Sequence, residues 1–484
     1  MFKIYFHTFN LEIKQLTMKF LILTLLFSIS FFSFSQIKSK SVDLVIESKI
    51  FKDKRTISVF LPNAYFEEES AEKFPVAYIF DGQFEPYFTM VSSIMSYYEQ
   101  TDEGVPMIVV GIHTENRWDE FVPTAKEEQS DKVKNAEQLT QFLQSEVIPM
   151  VDSMYRTKDF NVGIGHSLGG TFVINEIVKQ NSIFDAVIAV SPNLTMHDEQ
   201  ILKDAETFFK KSPDNRRFIY SSAGTEGGME QNFQHSLANL DSIVRKANLK
   251  NMYWKYDLLQ KANHMTTFVQ SFDKGYRELS WKLALLDDKL LELAIDTNSN
   301  IVDNLKIYYE DLEAFTKEKQ TIDAELILNH AFNLSRNGQH KSSKDLSQYA
   351  LELIETEELS KDEKKKLKDR IDNQLLRSSF HILTDEAIEL AKEERYKEAN
   401  ELYIKAFDLG LINATHIVRM RSVPILVQAG NKEEALKQLD LLANKFELGG
   451  NGSFKNDERL IPLHSDPRWE KLMSKLEKNA EKYR

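Results

Sequence analysis

Val162-Gly-Ile-Gly165-His166-Ser167-Leu168-Gly169-Gly170 decides what kind of fold this chain adopts. An apolar strand-like run enters a serine bracketed by glycines two residues before and two after, and residues 171–179 continue with helical spacing. A strand that becomes a helix so abruptly brings two backbones together, which leaves no room for side chains at Gly165 and Gly169. The turn exposes the Ser167 hydroxyl at a helix N-terminus, where the free N–H of Leu168 and the helix dipole favour a developing negative charge. Ser167 is the candidate nucleophile and Leu168 N–H a candidate oxyanion donor.

Working outward, β-rich runs at residues 56–61, 76–80, 107–112, 162–165, 186–191, 218–222 and 253–258 alternate with amphipathic stretches between 41 and 280. That alternation predicts an α/β domain, a mostly parallel sheet flanked by helices, over residues 37–284. Partners of the serine are then expected on loops after later strands. The last run exits into Gln260-Lys-Ala-Asn-His264-Met-Thr-Thr, which makes His264 the candidate general base. The run before it exits into Ala223-Gly224-Thr225-Glu226-Gly227-Gly228-Met229-Glu230. Glu226 is the first candidate for an acid that fixes the histidine tautomer, Glu230 the second, and a Ser–His dyad the third reading. His166, beside the nucleophile, is read as a packing residue.

The 484 residues exceed one ordinary domain, so at least two folded units are expected. A hydrophobic share of 42% alongside 28% charged residues excludes a disordered or wholly membrane-embedded chain. The net charge of −13, without a basic stripe, excludes nucleic acid as the expected partner. With no cysteine there is no thiolate nucleophile, disulfide or Cys-ligated metal, so covalent catalysis must use oxygen or nitrogen. The proposed chemistry calls for no cofactor and no metal. Residues 20–34 form an uncharged apolar run, preceded by Met18-Lys19 and followed by small residues before Gln36. Its length falls short of the roughly 20 residues that span a bilayer, so 18–35 reads as a cleaved signal peptide and 1–17 as a leader before the true start. The mature chain is expected to be periplasmic or extracellular, without stable membrane insertion.

From 285 to 484 the strand pattern gives way to Leu/Ala/Glu/Lys-rich helical spacing. Tyr396-Lys-Glu-Ala399, followed by Tyr403 and Ala406, recurs 36 residues later as Lys432-Glu-Glu-Ala435, Leu439 and Leu442, with Gly430 at a turn. This resembles the tetratricopeptide repeat, in which small residues let antiparallel helices approach closely. Leu442 stands where a small residue is expected, and Ala443 comes one position late. Gly338, Ala331 and Ala350 mark a weaker, earlier copy. A protein partner is the candidate ligand of these repeats, and the region carries no catalytic constellation.

The stretches Arg55-Thr-Ile-Ser-Val-Phe-Leu-Pro62 and Phe74-Pro-Val-Ala-Tyr-Ile-Phe-Asp81-Gly82, with Gly111, Asn116-Arg117, Pro123, the elbow, Ser191-Pro192, Gly224-Thr225-Glu226 and His264, carry a family resemblance. Together they resemble the esterase branch of the α/β-hydrolases that includes enterochelin-type siderophore esterases, the esterase D group and feruloyl or acetyl xylan esterases. The resemblance covers residues 40–280. It implies an α/β-hydrolase fold, a second oxyanion N–H from the Asp81-Gly82-Gln83 loop, given by Gln83 or its neighbour, and Arg117 in the substrate pocket. Where many relatives place Asp, this chain has Gly227, which leaves the acid open between Glu226, Glu230 and none. The expectation is a secreted serine esterase acting on a small-molecule ester, with a siderophore ester as the leading substrate. Carbohydrate esters, acyl transfer by the same residues, and repeat-mediated binding on a hydrolase scaffold are the alternatives.

Overall fold

The computed structural model describes residues 41–67, 71–123, 136–211, 216–249, 252–296, 299–411, 416–450 and 452–482. The expected leader and signal peptide lie outside these residues. The chain divides into two compact units, Met1–Leu286 and Asp287–Arg484.

Among the described residues of the first unit, eight strands form one sheet in the order β1-β2-β4-β3-β5-β6-β7-β8. They are β1 (Ser41–Glu47), β2 (Lys54–Phe60), β3 (Phe74–Phe80), β4 (Ile108–Ile112), β5 (Thr157–His166), β6 (Ala186–Val190), β7 (Arg217–Gly224) and β8 (Met252–Leu259). β2 pairs antiparallel with β1 and with β4, and every other pairing is parallel. Every residue of β3, β4, β6 and β7 is buried. That is the signature of strands covered by helices on both faces, which parallel crossovers require. The seven expected strands are all present. The eighth, β1, is an edge strand whose residues alternate between exposed and half-buried, so it lacks the continuous apolar run that marks the others.

Parallel strands point their carboxyl ends the same way. The registers His166 with Val190, Val190 with Ser222, and Gly224 with Leu259 bring the exits of β5, β6, β7 and β8 to one edge of the sheet. Sites of open α/β sheets form at that edge.

The second unit is helical throughout its described residues apart from turns and connecting segments. Three helix pairs are joined by alike turns: Ala324–Arg336 with His340–Thr356, Lys361–Lys392 with Tyr396–Asp408, and His416–Gln428 with Lys432–Asp440. Each turn has one residue in the left-handed region, Gly338, Glu394 and Gly430 in chain order. In each, the following N–H closes onto a carbonyl five residues back: Gln339 on Leu334 at 2.9 Å, Arg395 on Leu390 at 2.9 Å, and Asn431 on Leu426 at 2.8 Å. The small and aromatic positions Ala399, Tyr403 and Ala406 are fully buried. The late Ala443 is also explained. A single π turn, Leu441–Lys445, absorbs one extra residue and buries both Leu442 and Ala443. Among the described residues of either unit, no helix is long and apolar enough to cross a membrane.

Candidate active site

Ser167 stands between the end of β5 and the helix Leu168–Ile177 with φ 58° and ψ −117°, a conformation that side chains rarely adopt. Backbone strain of this kind persists only where the surroundings enforce it. They do so here: a Cβ on Gly165 would lie 2.2 Å from the carbonyl of Gly169, and Ser167 N–H donates to Val190 O at 2.9 Å while Ser167 O accepts from Thr171 N at 2.9 Å. Leu168 opens the helix, so its N–H is one of the orphan donors of a helix start.

The loop after β3 supplies a second free donor beside the elbow. Asp81 has φ 63°, Gly82 N–H bonds Ile112 O at 2.8 Å, and Phe84 N–H bonds Asp81 O at 2.9 Å. Gln83 lies inside this turn; its side chain accepts from Thr114 N at 2.8 Å, while its own N–H has no partner among the described residues. A Cβ on Gly169 would come within 3.3 Å of Phe80 and 3.7 Å of the Asp81 carboxylate, so the loop rests on the elbow itself. Arg117 braces the junction. Its Nε–H lies 2.8 and 3.0 Å from the two Asp81 oxygens, and Nη2 donates to the carbonyl of His166 at 3.2 Å. Burial pushes the Asp81 carboxyl up, against the pull of Arg117.

The candidate base and the carboxylate beside it come from the far side. The loop after β7 crosses the loop after β8: Thr225 N–H bonds Leu259 O at 3.1 Å and Glu226 N–H bonds Ala262 O at 2.9 Å. Gly224 sits at the crossing, where a Cβ would lie 2.2 Å from Ala262 O. This places His264 over the first turn of the helix Gly228–Ala247. His264 Nδ1 lies 2.6 Å from Glu230 Oε1. The other Glu230 oxygen accepts from Gly224 N and from Ser191 Oγ at 3.0 Å. Ser191 Oγ is equally near Thr267 Oγ1, but Thr267 already donates to His264 O at 2.9 Å. With the Thr267 proton used there, both contacts of Ser191 draw on its single proton, and the ionised carboxylate is the stronger acceptor of the two. Burial acts to raise the Glu230 carboxyl, and the hydrogen bonds from His264, Gly224 and Ser191 outweigh it, holding the group below the usual carboxylate range. An ionised acceptor at Nδ1 fixes the tautomer with Nε2 unprotonated.

Glu226, the first candidate from the sequence, is not at the imidazole. Its backbone is pinned by Ala262 O, its side chain is exposed, and its one side-chain hydrogen bond among the described residues is a 3.5 Å approach of Thr225 Oγ1. Glu230 holds that place because it lies in the first helical turn and faces back to the end of β7. Among the described residues, neither Ser167 Oγ nor His264 Nε2 has a hydrogen-bond partner, so the structure does not join the pair directly. No group of three His, Asp or Glu side chains among the described residues could hold a metal ion.

Residues 48–290, half of the chain, match the family described as Putative esterase. The chain belongs to the Putative esterase family. It is accordingly a hydrolase acting on ester bonds, of the α/β-hydrolase kind, with a helical domain after it. A Bacillus subtilis (strain 168) protein called YbbA, itself uncharacterised, is 25% identical over 203 residues, covering 40% of this chain and 77% of YbbA. Among solved structures, an IroE-like serine hydrolase from Shewanella oneidensis covers 65% of this esterase and 99% of itself, with 19% identity and a TM-score of 0.50. An uncharacterised protein from Capnocytophaga ochracea DSM 7271 covers 76% and 94% respectively, with 14% identity and a TM-score of 0.51. Both likenesses speak to the fold of the esterase.

Sequence reasoning passed over several members of this site. Tyr87, Thr267 and the role of Ser191 carry no motif of their own, since each acts through side-chain hydrogen bonds set by packing. Glu230 had a usable signal: an acidic residue in the first turn of a helix that follows a glycine-marked strand exit.

Proposed function

We propose that this protein is a serine esterase working through an acyl-enzyme on Ser167, with His264 as base and Glu230 as the acid that orients it. The observation that supports this reading best is the buried Glu230 carboxylate on His264 Nδ1 at 2.6 Å, which leaves Nε2 as the acceptor. In the reaction Ser167 Oγ attacks the ester carbonyl and its proton passes to His264 Nε2. The oxyanion meets the N–H groups of Leu168 and Gln83, and Glu230 stabilises the imidazolium without taking its proton. The imidazolium then protonates the departing alcohol, and water activated by the same histidine releases the acid. A contact between Ser167 and His264 that forms only with substrate bound is ordinary for such sites. The test is Ser167→Ala: turnover of p-nitrophenyl acetate should fall at least about 10³-fold with an unchanged melting temperature. A variant keeping a tenth of the wild-type rate would remove the mechanism.

The substrate we infer is an aromatic, anionic ester of the siderophore type, met outside the cytoplasm if residues 18–35 direct export. Four exposed apolar side chains each adjoin a proposed site residue: Phe84 next to Gln83, Trp118 next to Arg117, Met229 next to Glu230 and Met265 next to His264. Exposed apolar side chains beside the site residues suit an aromatic ring better than a sugar. Among the described residues Arg117 Nη1 has no hydrogen-bond partner and could meet an anionic oxygen, but because the guanidinium also braces Asp81 and His166, Arg117→Ala should lower every activity. Trp118→Ala is the selective variant. It should raise KM for a catecholate siderophore ester several-fold and leave p-nitrophenyl acetate nearly unchanged. Higher kcat/KM on acetylated sugars than on the siderophore ester would reverse the inference.

A further inference from the structure

His166 is buried, yet both of its ring nitrogens are in use. Nε2 lies 2.7 Å from the main-chain carbonyl of His264, and Nδ1 lies 2.6 Å from the Tyr87 hydroxyl. A carbonyl oxygen can only accept, so Nε2 must carry the proton. Nδ1 is then the acceptor and Tyr87 the donor, and a single neutral tautomer satisfies both contacts. Burial first, and then the neighbouring His264, hold His166 down to about 3, while burial pushes Tyr87 up to about 12. Both groups thus keep these protonation states at any working pH.

The ring also packs on the base. The His166 and His264 centroids are 4.5 Å apart with a tilt of 35°, and Phe268 lies 5.7 Å from His166 and 4.3 Å from Tyr87. His264 itself belongs to an irregular turn between β8 and the helix Thr267–Leu283, where no ladder bonds hold it. Its carbonyl receives two donors, Thr267 Oγ1 from the following helix and His166 Nε2 from the elbow. Only the second ties the base to the strand that carries Ser167, one residue away along the chain.

We propose that His166 is a positioning residue for ester cleavage, its Nε2–H locking the main chain of His264 to the nucleophile elbow, with Tyr87 fixing the tautomer that makes this possible. The proposal rests on the serine-esterase reading above. Displacing a catalytic group by about 1 Å can cost on the order of 10²-fold in rate, whereas substrate binding need not change. The loss should therefore fall on kcat.

The experiment uses the full-length esterase and three variants. His166→Phe keeps a ring and removes both polar functions; His166→Gln keeps an N–H donor; Tyr87→Phe removes the tautomer lock. His166→Phe should lower kcat on p-nitrophenyl acetate by about 30- to 100-fold, with KM within about threefold. His166→Gln should recover most of the loss, and Tyr87→Phe should fall between wild type and His166→Phe. The rate at which a fluorophosphonate labels Ser167 should follow kcat in all three, while melting temperatures stay close together. A folded His166→Phe enzyme with kcat within threefold of wild type overturns the proposal, as do equal losses for Phe and Gln. Should His166→Phe not fold, wild-type kcat in Tyr87→Phe overturns it. Ser167→Ala run in parallel separates the two ideas: an active Ser167→Ala removes the mechanism itself, whereas an inactive one beside an unimpaired His166→Phe removes only the positioning role.

Discussion

Glu230 collects three hydrogen bonds on two oxygens while wholly buried, and every one of its donors belongs to the site edge: His264, Gly224 and Ser191. Removing its charge while keeping its shape should let the imidazole flip or take the wrong tautomer. Glu230→Gln is therefore expected to lower kcat by about 10² to 10⁴-fold. Glu226→Gln, on an exposed side chain, should stay within about twofold, as surface changes usually do. Steady-state kinetics on the two variants decides between them, and equal small effects would favour a Ser–His dyad.

Among the elements, the elbow is the least forgiving. A methyl group at Gly165 would overlap the backbone of Gly169 at 2.2 Å, and backbone cannot swing aside as a flexible side chain can. Gly165→Ala should abolish activity and lower the melting temperature by several degrees. Gly228, at the start of its helix, has nothing within 4 Å of the added atom, so Gly228→Ala should be nearly silent in the same assays. In the helical unit the comparison runs the other way. Two of the three alike turns place glycine in the left-handed position, and the third places Glu394 there with φ 61°. Glu394→Gly should stabilise that unit by about 0.5 to 1 kcal/mol, the relief of left-handed strain less the added freedom of the unfolded chain. Urea unfolding measures it, and a loss of stability would show that Glu394 makes a compensating contact.

For the molecule as a whole, each unit carries a histidine that folding keeps neutral. Burial holds His166 down to about 3 and His330, whose Nε2 meets Tyr309 Oη at 2.8 Å, down to about 4. The unfolded chain protonates both near pH 6.5, so between that pH and the folded values it binds protons the native state refuses. Stability must fall as pH drops through this window, by up to about 1.4 kcal/mol per pH unit for each group. Glu230 acts in the same direction lower down: its depressed carboxyl adds stability at neutral pH that is lost as pH falls below the ordinary value of about 4.3. His330→Gln should flatten the acid dependence of the urea midpoint between pH 6.5 and 4, and an unchanged slope would exclude His330 as a cause. All proposed site residues precede Asp287, so a fragment of residues 37–286 should hydrolyse p-nitrophenyl acetate within about threefold of the full chain. A folded but inactive fragment would mean that the helical unit completes the site.

The features legible in the chain alone are those that a few neighbouring residues enforce. The central strands announce themselves as continuous apolar runs because both faces of the sheet are covered there; of the two edge strands, β8 still shows as an aromatic-rich run, whereas β1, alternating between exposed and half-buried residues, escapes. Gly165 and Gly169 declare a tight strand-to-helix turn, and Gly430 a helix hairpin, since only local sterics are involved. His264, the candidate base, is picked out by chain order, as the histidine after the last strand. What only the tertiary structure decided depends on loops that meet from distant parts of the chain. Glu226 and Glu230 are equivalent in composition and four residues apart; the crossing of the β7 and β8 loops at Gly224 turns one outward and places the other under the imidazole. For Arg117 the family resemblance implies a place in the substrate pocket, but residue type alone does not show that the turn after β3 also brings Asp81 against its Nε–H. His166 reads as packing until Tyr87 and the His264 carbonyl arrive at its two nitrogens, because a hydrogen bond has a direction in space that residue type and spacing along a chain do not carry.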